Sequence, residues 1–152
     1  MNDKEVAKNP STPAEVLSKL AWNEDEYVRE AVAGNPNTPA EVLVKLAMDD
    51  HWGVRWAVVG NINTPAEVLA ELVTDEDWSV RQAVARNTNI PETILIRLSR
   101  DRSPRVREAV ARSPKIPPEV VIHLSTSKVS RIRQALTENP AVPEHIRIGL
   151  SL

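Results

Sequence analysis

The chain contains no cysteine and no phenylalanine; four tryptophans and one tyrosine are its large aromatics, and glycine occurs four times in 152 residues. Without cysteine there is no disulfide, no thiolate metal site and no cysteine nucleophile. That composition is compatible with a reducing cytoplasm. No stretch approaches the roughly 20 apolar residues of a membrane span, and the N-terminal region lacks an apolar run of signal-peptide length. The expectation is a soluble, cytoplasmic protein with no membrane association. Glycine-rich phosphate loops and nucleophile motifs are also missing, and with them the usual sequence signs of an enzyme.

What the chain does have is a period of 26 residues. Thr12-Pro13-Ala14-Glu15-Val16-Leu17 returns as Thr38-Pro39-Ala40-Glu41-Val42-Leu43 and as Thr64-Pro65-Ala66-Glu67-Val68-Leu69, then degenerates to Ile90-Pro91, Ile116-Pro117 and Val142-Pro143. Aligned without gaps, it gives a single repeat domain over 1–152. A polar lead, 1–8, is followed by repeats 9–34, 35–60, 61–86, 87–112 and 113–138 and a half repeat 139–152. Periods of this size belong to solenoids, in which each unit buries its apolar face against its neighbours.

Within one repeat the spacing predicts two short helices and no strand. Thr12, Thr38 and Thr64 precede Glu15, Glu41 and Glu67 by three residues, the signature of a capping box. Pro13, Pro39 and Pro65 suit the first helical position, where the missing amide costs nothing. Val16, Leu17 and Leu20 then form a buried stripe with counterparts in the next two repeats. The second helix carries Val28 and Val32 inward, small Ala31, Ala57, Ala83, Ala109 and Ala135 at one position, and Gly34 or Gly60 as a C-terminal cap. Asn-Pro pairs such as Asn35-Pro36 break the helix and start the next unit. Elements this short are candidates for partial 3₁₀ helix.

The pattern Asn35-Pro36-Asn37-Thr38-Pro39, Glu41-Val42-Leu43, an acidic turn, and Val54-Arg55-Trp56-Ala57-Val58 resembles the leucine-rich repeat variant family, in register across residues 9–150. The resemblance implies an all-α fold: a right-handed superhelical solenoid of paired short helices, α plus short α or 3₁₀, related in style to HEAT repeats. The family's best-known member carries a cysteine-rich iron–sulfur module; this chain has no cysteine, so no cluster is carried over and no cofactor is expected.

Against the repeat frame, individual side chains stand out. Arg29, Arg55, Arg81, Arg107 and Arg133 recur at one position beside the apolar stripe, with Asp25, Asp49 and Asp75 in the turns before. This reads as an ion-pair ladder between repeats, with a phosphate-binding arginine row as the alternative. Trp52 and Trp56 lie four apart on one helix, opposite Val54 and Val58, at positions that other repeats fill with Glu26, Pro104 and Ser130, or with Glu30, Gln82, Glu108 and Gln134. With Trp78, at the register of Trp52, they are expected to form an exposed patch for a protein or peptide partner, extended by Trp22 and Tyr27. The competing reading lays these indoles flat over valine and arginine stems.

Charge is divided along the chain. Residues 1–86 carry 8 Lys or Arg against 15 Asp or Glu, residues 87–152 carry 11 against 6. The basic half, with Arg97, Arg100, Arg102 and Arg105 at its centre, is the candidate surface for nucleic-acid backbone. His51, His123 and His145 fall at three different repeat positions and share no ligand spacing, so no metal or catalytic role is assigned. The functional expectation is a non-enzymatic scaffold for protein or peptide binding, with two alternatives. One is nucleic-acid binding; the other is homo-oligomerisation by end stacking through Ile148, Leu150 and Leu152.

Overall fold

The computed structural model describes residues 2–150, which contain twelve α-helices and no strand. Helix α1 (Asp3–Lys8) precedes the pairs α2 (Ala14–Leu20) and α3 (Glu26–Gly34), α4 (Ala40–Leu46) and α5 (Trp52–Gly60), α6 (Ala66–Leu72) and α7 (Trp78–Arg86). The pairs α8 (Glu92–Leu98) and α9 (Pro104–Ala111), then α10 (Pro118–Ser125) and α11 (Ser130–Glu138), follow, and α12 (Glu144–Leu150) is the last described helix. The all-α repeat with two short helices per unit is thus what the chain adopts. Compactness divides it inside α7 into Met1–Val80 and Arg81–Leu152. Leu152, one of the three residues expected at an end-stacking face, lies outside the described residues.

In the first unit the second helices stack directly, α1 on α3 and α3 on α5, with α2 and α4 packed along their flanks. In the second unit α9 stacks on α11, and α8 and α10 take the flanking place. The apolar stripes supply the core: Leu17, Val32, Leu43, Val54 and Val58 are fully buried in the first unit, Val106, Val110, Ile132 and Leu136 in the second. Val16 departs from the expected stripe and is exposed, while its counterparts Val42 and Val68 are buried. No flanking helix precedes α2 among the described residues, so Val16 has nothing to pack on.

Both helices of each repeat are α. The shorter ones show 3₁₀-type bonding only at their ends: the amides of Val16 and Leu17 share the Pro13 carbonyl at 3.0 and 3.1 Å. Seven residues nucleate poorly alone, so packing of the apolar stripe sustains them.

Three local expectations are corrected. The threonines do not cap. The hydroxyl of Thr12 donates to the Val6 carbonyl at 2.6 Å, and those of Thr38 and Thr64 to the Val32 and Val58 carbonyls. These carbonyls lie in the last turn of the preceding helix, where no further turn supplies an amide, so one bond satisfies a buried hydroxyl and an orphan acceptor together. The prolines sit one residue before the helix in extended conformation, with φ of −61°, −63° and −60° at Pro13, Pro39 and Pro65. Gly34 and Gly60 are final helical residues rather than left-handed caps, and the chain leaves each helix through an extended asparagine.

That asparagine is the main connector between repeats. The buried Asn35 amide donates from Nδ2 to the carbonyls of Ala7 at 2.7 Å and Asn9 at 2.8 Å, 28 and 26 residues back. Asn61 repeats this with Ala33 and Asn35, and Asn139 with Ala111 and Ser113. The Oδ1 atoms accept the amide two residues on, at Asn37, Asn63 and Ala141, forming an Asx turn. A second, more exposed row joins Asn37 to the Pro10 carbonyl and Asn63 to the Pro36 carbonyl.

Helix α1 supplies acceptors for the first rungs and is more than a polar lead. Its N-terminus carries the one capping box drawn as such, between Asn2 and Glu5, and its Ala7 is fully buried. Glu5-Val6-Ala7-Lys8 aligns with Ala31-Val32-Ala33-Gly34, so α1 is in register with the second helix of a repeat.

Replacing Asn61 with Ala strands two buried carbonyls and is expected to lower stability by about 2–3 kcal/mol. The same change at the exposed Asn63 should cost less than about 1 kcal/mol. Urea unfolding midpoints of the two variants beside the wild type provide the comparison.

Candidate functional site

The recurrent arginines form two sets of bonds. Toward their own repeat, Nη1 donates to carbonyls six and five residues back: Asn23 and Glu24 for Arg29, Asp49 and Asp50 for Arg55. Toward the next repeat, Nε and Nη2 grip one aspartate 20 residues on. The pairs are Arg29 with Asp49, Arg55 with Asp75 and Arg81 with Asp101, each at 2.7 Å from Nε and 3.0 Å from Nη2. The ion-pair ladder is therefore bidentate and between repeats, but its acid is the following one rather than the one in the turn before. Asp25 takes no part. It lies two residues off the register of Asp49, where Asn23 stands, and instead caps α3 through the Tyr27 amide.

Burial tends to push the Asp49 carboxyl up, but its hydrogen bonds with Arg29 and with the His51 amide outweigh this and hold it below the ordinary aspartate value. The same balance, with Arg81 and the Ser103 amide, depresses Asp101. The hydrogen bond from Asp49 raises Arg29, and that from Asp75 raises Arg55, so these guanidinium groups stay charged throughout.

The tryptophans are all solvent-exposed, Trp22 by 68%, Trp52 by 47%, Trp56 by 48% and Trp78 by 37%. Trp52 and Trp78 open α5 and α7 at one repeat position, and Trp56 follows Trp52 by one turn. They line different hollows. Trp52 borders one of about 310 Å³ with Asp50, His51, Arg55, Glu76 and Asp77. Trp56 borders another of about 220 Å³ with Tyr27, Lys4, Lys8 and Glu30 over a floor of Ala31, Gly34 and Ala57. Trp22 lies beside a third, of about 360 Å³, with Met48, Leu46 and Arg29. No ring contact joins Trp22, Trp52 and Trp56. Lys45 sits over the Trp22 indole at 5.6 Å, Lys4 over the Tyr27 ring at 4.6 Å, and the His51 and Trp52 rings are 5.8 Å apart.

Small residues at the second-helix position deepen the Trp56 hollow, a feature the alanine periodicity announced only as close helix approach. Surrounding charge differs between hollows: acidic around Trp52, lysine-rich around Trp56.

Of the basic candidates, Arg97 ends α8, Arg100 and Arg102 lie in the turn after it, and Arg105 is in the first turn of α9; all four are exposed. Arg97 and Arg100 make no hydrogen bond or ion pair. His123 and His145 are exposed, and no group of acidic or histidine ligands suited to a metal occurs among the described residues. Ile148 is exposed and Leu150 half-buried on α12, which buries no residue. No helix of the described residues is long and apolar enough to cross a membrane.

The family profile described as leucine rich repeat variant matches residues 28–51, about one repeat. A solved structure described as a leucine-rich repeat variant with a novel repetitive protein structural motif is similar over 98% of this chain, at a TM-score of 0.74 and 29% identity. The match covers 64% of that chain, so the present chain spans less than two thirds of its length. No curated protein matches the sequence. The expected likeness to leucine-rich repeat variants is shown by the sequence of one repeat and by the fold of nearly the whole chain.

The depressed carboxyls predict an acid-sensitive ladder. Stability contributed by Asp49 and Asp101 is fully present above the ordinary aspartate value of about 3.9 and is lost as pH falls through their lower folded-state values. Asp49→Asn keeps an oxygen for the His51 amide and removes the charge. It should cost about 2–3 kcal/mol at pH 7 and flatten the loss of stability below about pH 4, read from urea midpoints between neutral and acid pH.

Proposed function

We propose that this chain, a repeat scaffold similar to the leucine-rich repeat variants, is a non-enzymatic cytoplasmic protein that binds a protein or peptide through Trp52, Trp56 and Trp78 of its second and third repeats, with Trp22 of the first as a further contact. The carrying observation is the near-half exposure of Trp52 and Trp56 on one helix, at positions that other repeats keep polar. Covering the exposed part of an indole is worth about 2 kcal/mol, and aromatic anchors of this kind concentrate binding energy. Asp50, Glu76 and Asp77 around Trp52 favour a partner that sets a basic residue beside its apolar anchor. Alanine at Trp52, Trp56 and Trp78 together should abolish partner capture and leave the helical circular dichroism unchanged. Loss of the helical signal would make the indoles core and end the proposal.

One observation favours a second reading. Arg97 and Arg100 are exposed and engaged with no acid, in the half of the chain where basic residues outnumber acidic ones. Nucleic-acid backbone is the ligand such a row suits. Glutamine at Arg100, Arg102 and Arg105 should then remove DNA retention at low salt, and absence of retention by the wild type rejects this alternative. Stacking of copies through the exposed Ile148 face of α12 is the third outcome, and light scattering across a concentration series separates it from both.

A further inference from the structure

The arginine ladder is built to one plan, and one of its rungs differs in composition. Arg29, Arg55 and Arg81 each meet an aspartate 20 residues on; the residue 20 beyond Arg107 is Ser127. Arg107 is nevertheless held as the others are. Its Nη1 donates to the carbonyls of Asp101 at 2.6 Å and Arg102 at 3.3 Å, against 2.7 and 3.1 Å for the equivalent bonds of Arg55. Pinning Nη1 in this way fixes the planar guanidinium and aims its Nε and Nη2 edge toward the ladder position of residue 127.

Ser127 keeps half of the aspartate's role. Its Oγ accepts the Val129 amide at 3.2 Å, as Asp49 accepts the His51 amide at 2.9 Å. It brings no negative charge, and Arg107 makes no ion pair and no hydrogen bond other than those to the two carbonyls. Nearby acids of the same unit are engaged elsewhere, Asp101 with Arg81 and Glu108 with Arg112. Arg133 donates from Nη1 to the Ser127 carbonyl at 2.6 Å, so Ser127 lies between two guanidinium groups.

We propose that Arg107 is an open rung that binds an oxyanion, a carboxylate or a phosphate group, on Nε and Nη2 in the place an aspartate fills in the three earlier rungs. The fork matches two oxygens of either anion. Arg107 is half-buried, so the bond forms in a partly desolvated setting where a charge pair is stronger than in open water. The positive balance of residues 87–152 favours anions over cations there.

The test uses the full chain with sodium acetate and sodium phosphate as separate probes against sodium chloride at matched ionic strength. The Arg107 Nε–H resonance should shift saturably with at least one anion, and which one responds identifies the chemical source. Ser127→Asp supplies the missing carboxylate: it should raise the urea midpoint and remove the anion response. Arg107→Gln, followed at the Val129 amide, should weaken the response at least tenfold. An Arg107 signal indifferent to both anions, or a Ser127→Asp protein that still responds to them, overturns the proposal.

Discussion

Every repeat of this protein must end a helix inside the stack, and the buried asparagine that satisfies the exposed backbone there is the interaction on which the rest depends. Asn35, Asn61 and Asn139 each donate two hydrogen bonds to carbonyls 28 and 26 residues earlier. A carbonyl left unbonded away from water costs about as much as a lost hydrogen bond. A primary amide meets the need because it offers two donors on one nitrogen and, through Oδ1, an acceptor that holds its own turn. These bonds tie each repeat to the one before at a fixed register, which is why the sequence tolerates no insertion in the period.

Once that register is set, the other inter-repeat contacts follow from it. The threonine hydroxyls close a second carbonyl of the preceding helix, and the Arg–Asp pairs run along the turns at a separation of 20 residues. Substitution within the plan is visible. Lys115 stands where Asn37 and Asn63 stand in earlier repeats, and its Nζ reaches the Thr88 carbonyl at 2.6 Å, the bond those asparagines make one repeat back. A position can change residue type and keep its bond, provided a donor arrives at the same carbonyl. The exception is Ser127, which keeps the turn and loses the charge.

The outward face is freed from these duties, and there the repeats diverge. Tryptophans occupy positions that elsewhere are polar, and they do so without touching one another, each beside its own hollow with its own charge. The surface therefore presents several separate anchors rather than one continuous aromatic plate. Recognition of an extended segment suits such an arrangement better than a single deep pocket.

Much of this was legible in the residues themselves. The period, the paired helices, the buried valine and leucine stripes and the exposure of Trp52 and Trp56 all follow from local spacing, because helical periodicity places residues three and four apart on one face. What the sequence did not disclose lies at separations of 20 to 28 residues. Thr12 fits a capping box by every local rule, and only the carbonyl of Val6 above it turns the hydroxyl away. Asp25 and Asp49 look equivalent in their turns, yet two residues of register decide that one caps a helix and the other receives an arginine from the repeat before. The sequence by itself determined which elements form and which faces they bury. The tertiary structure decided the partner of each buried polar group, because that choice depends on which backbone atoms the neighbouring repeat leaves without water.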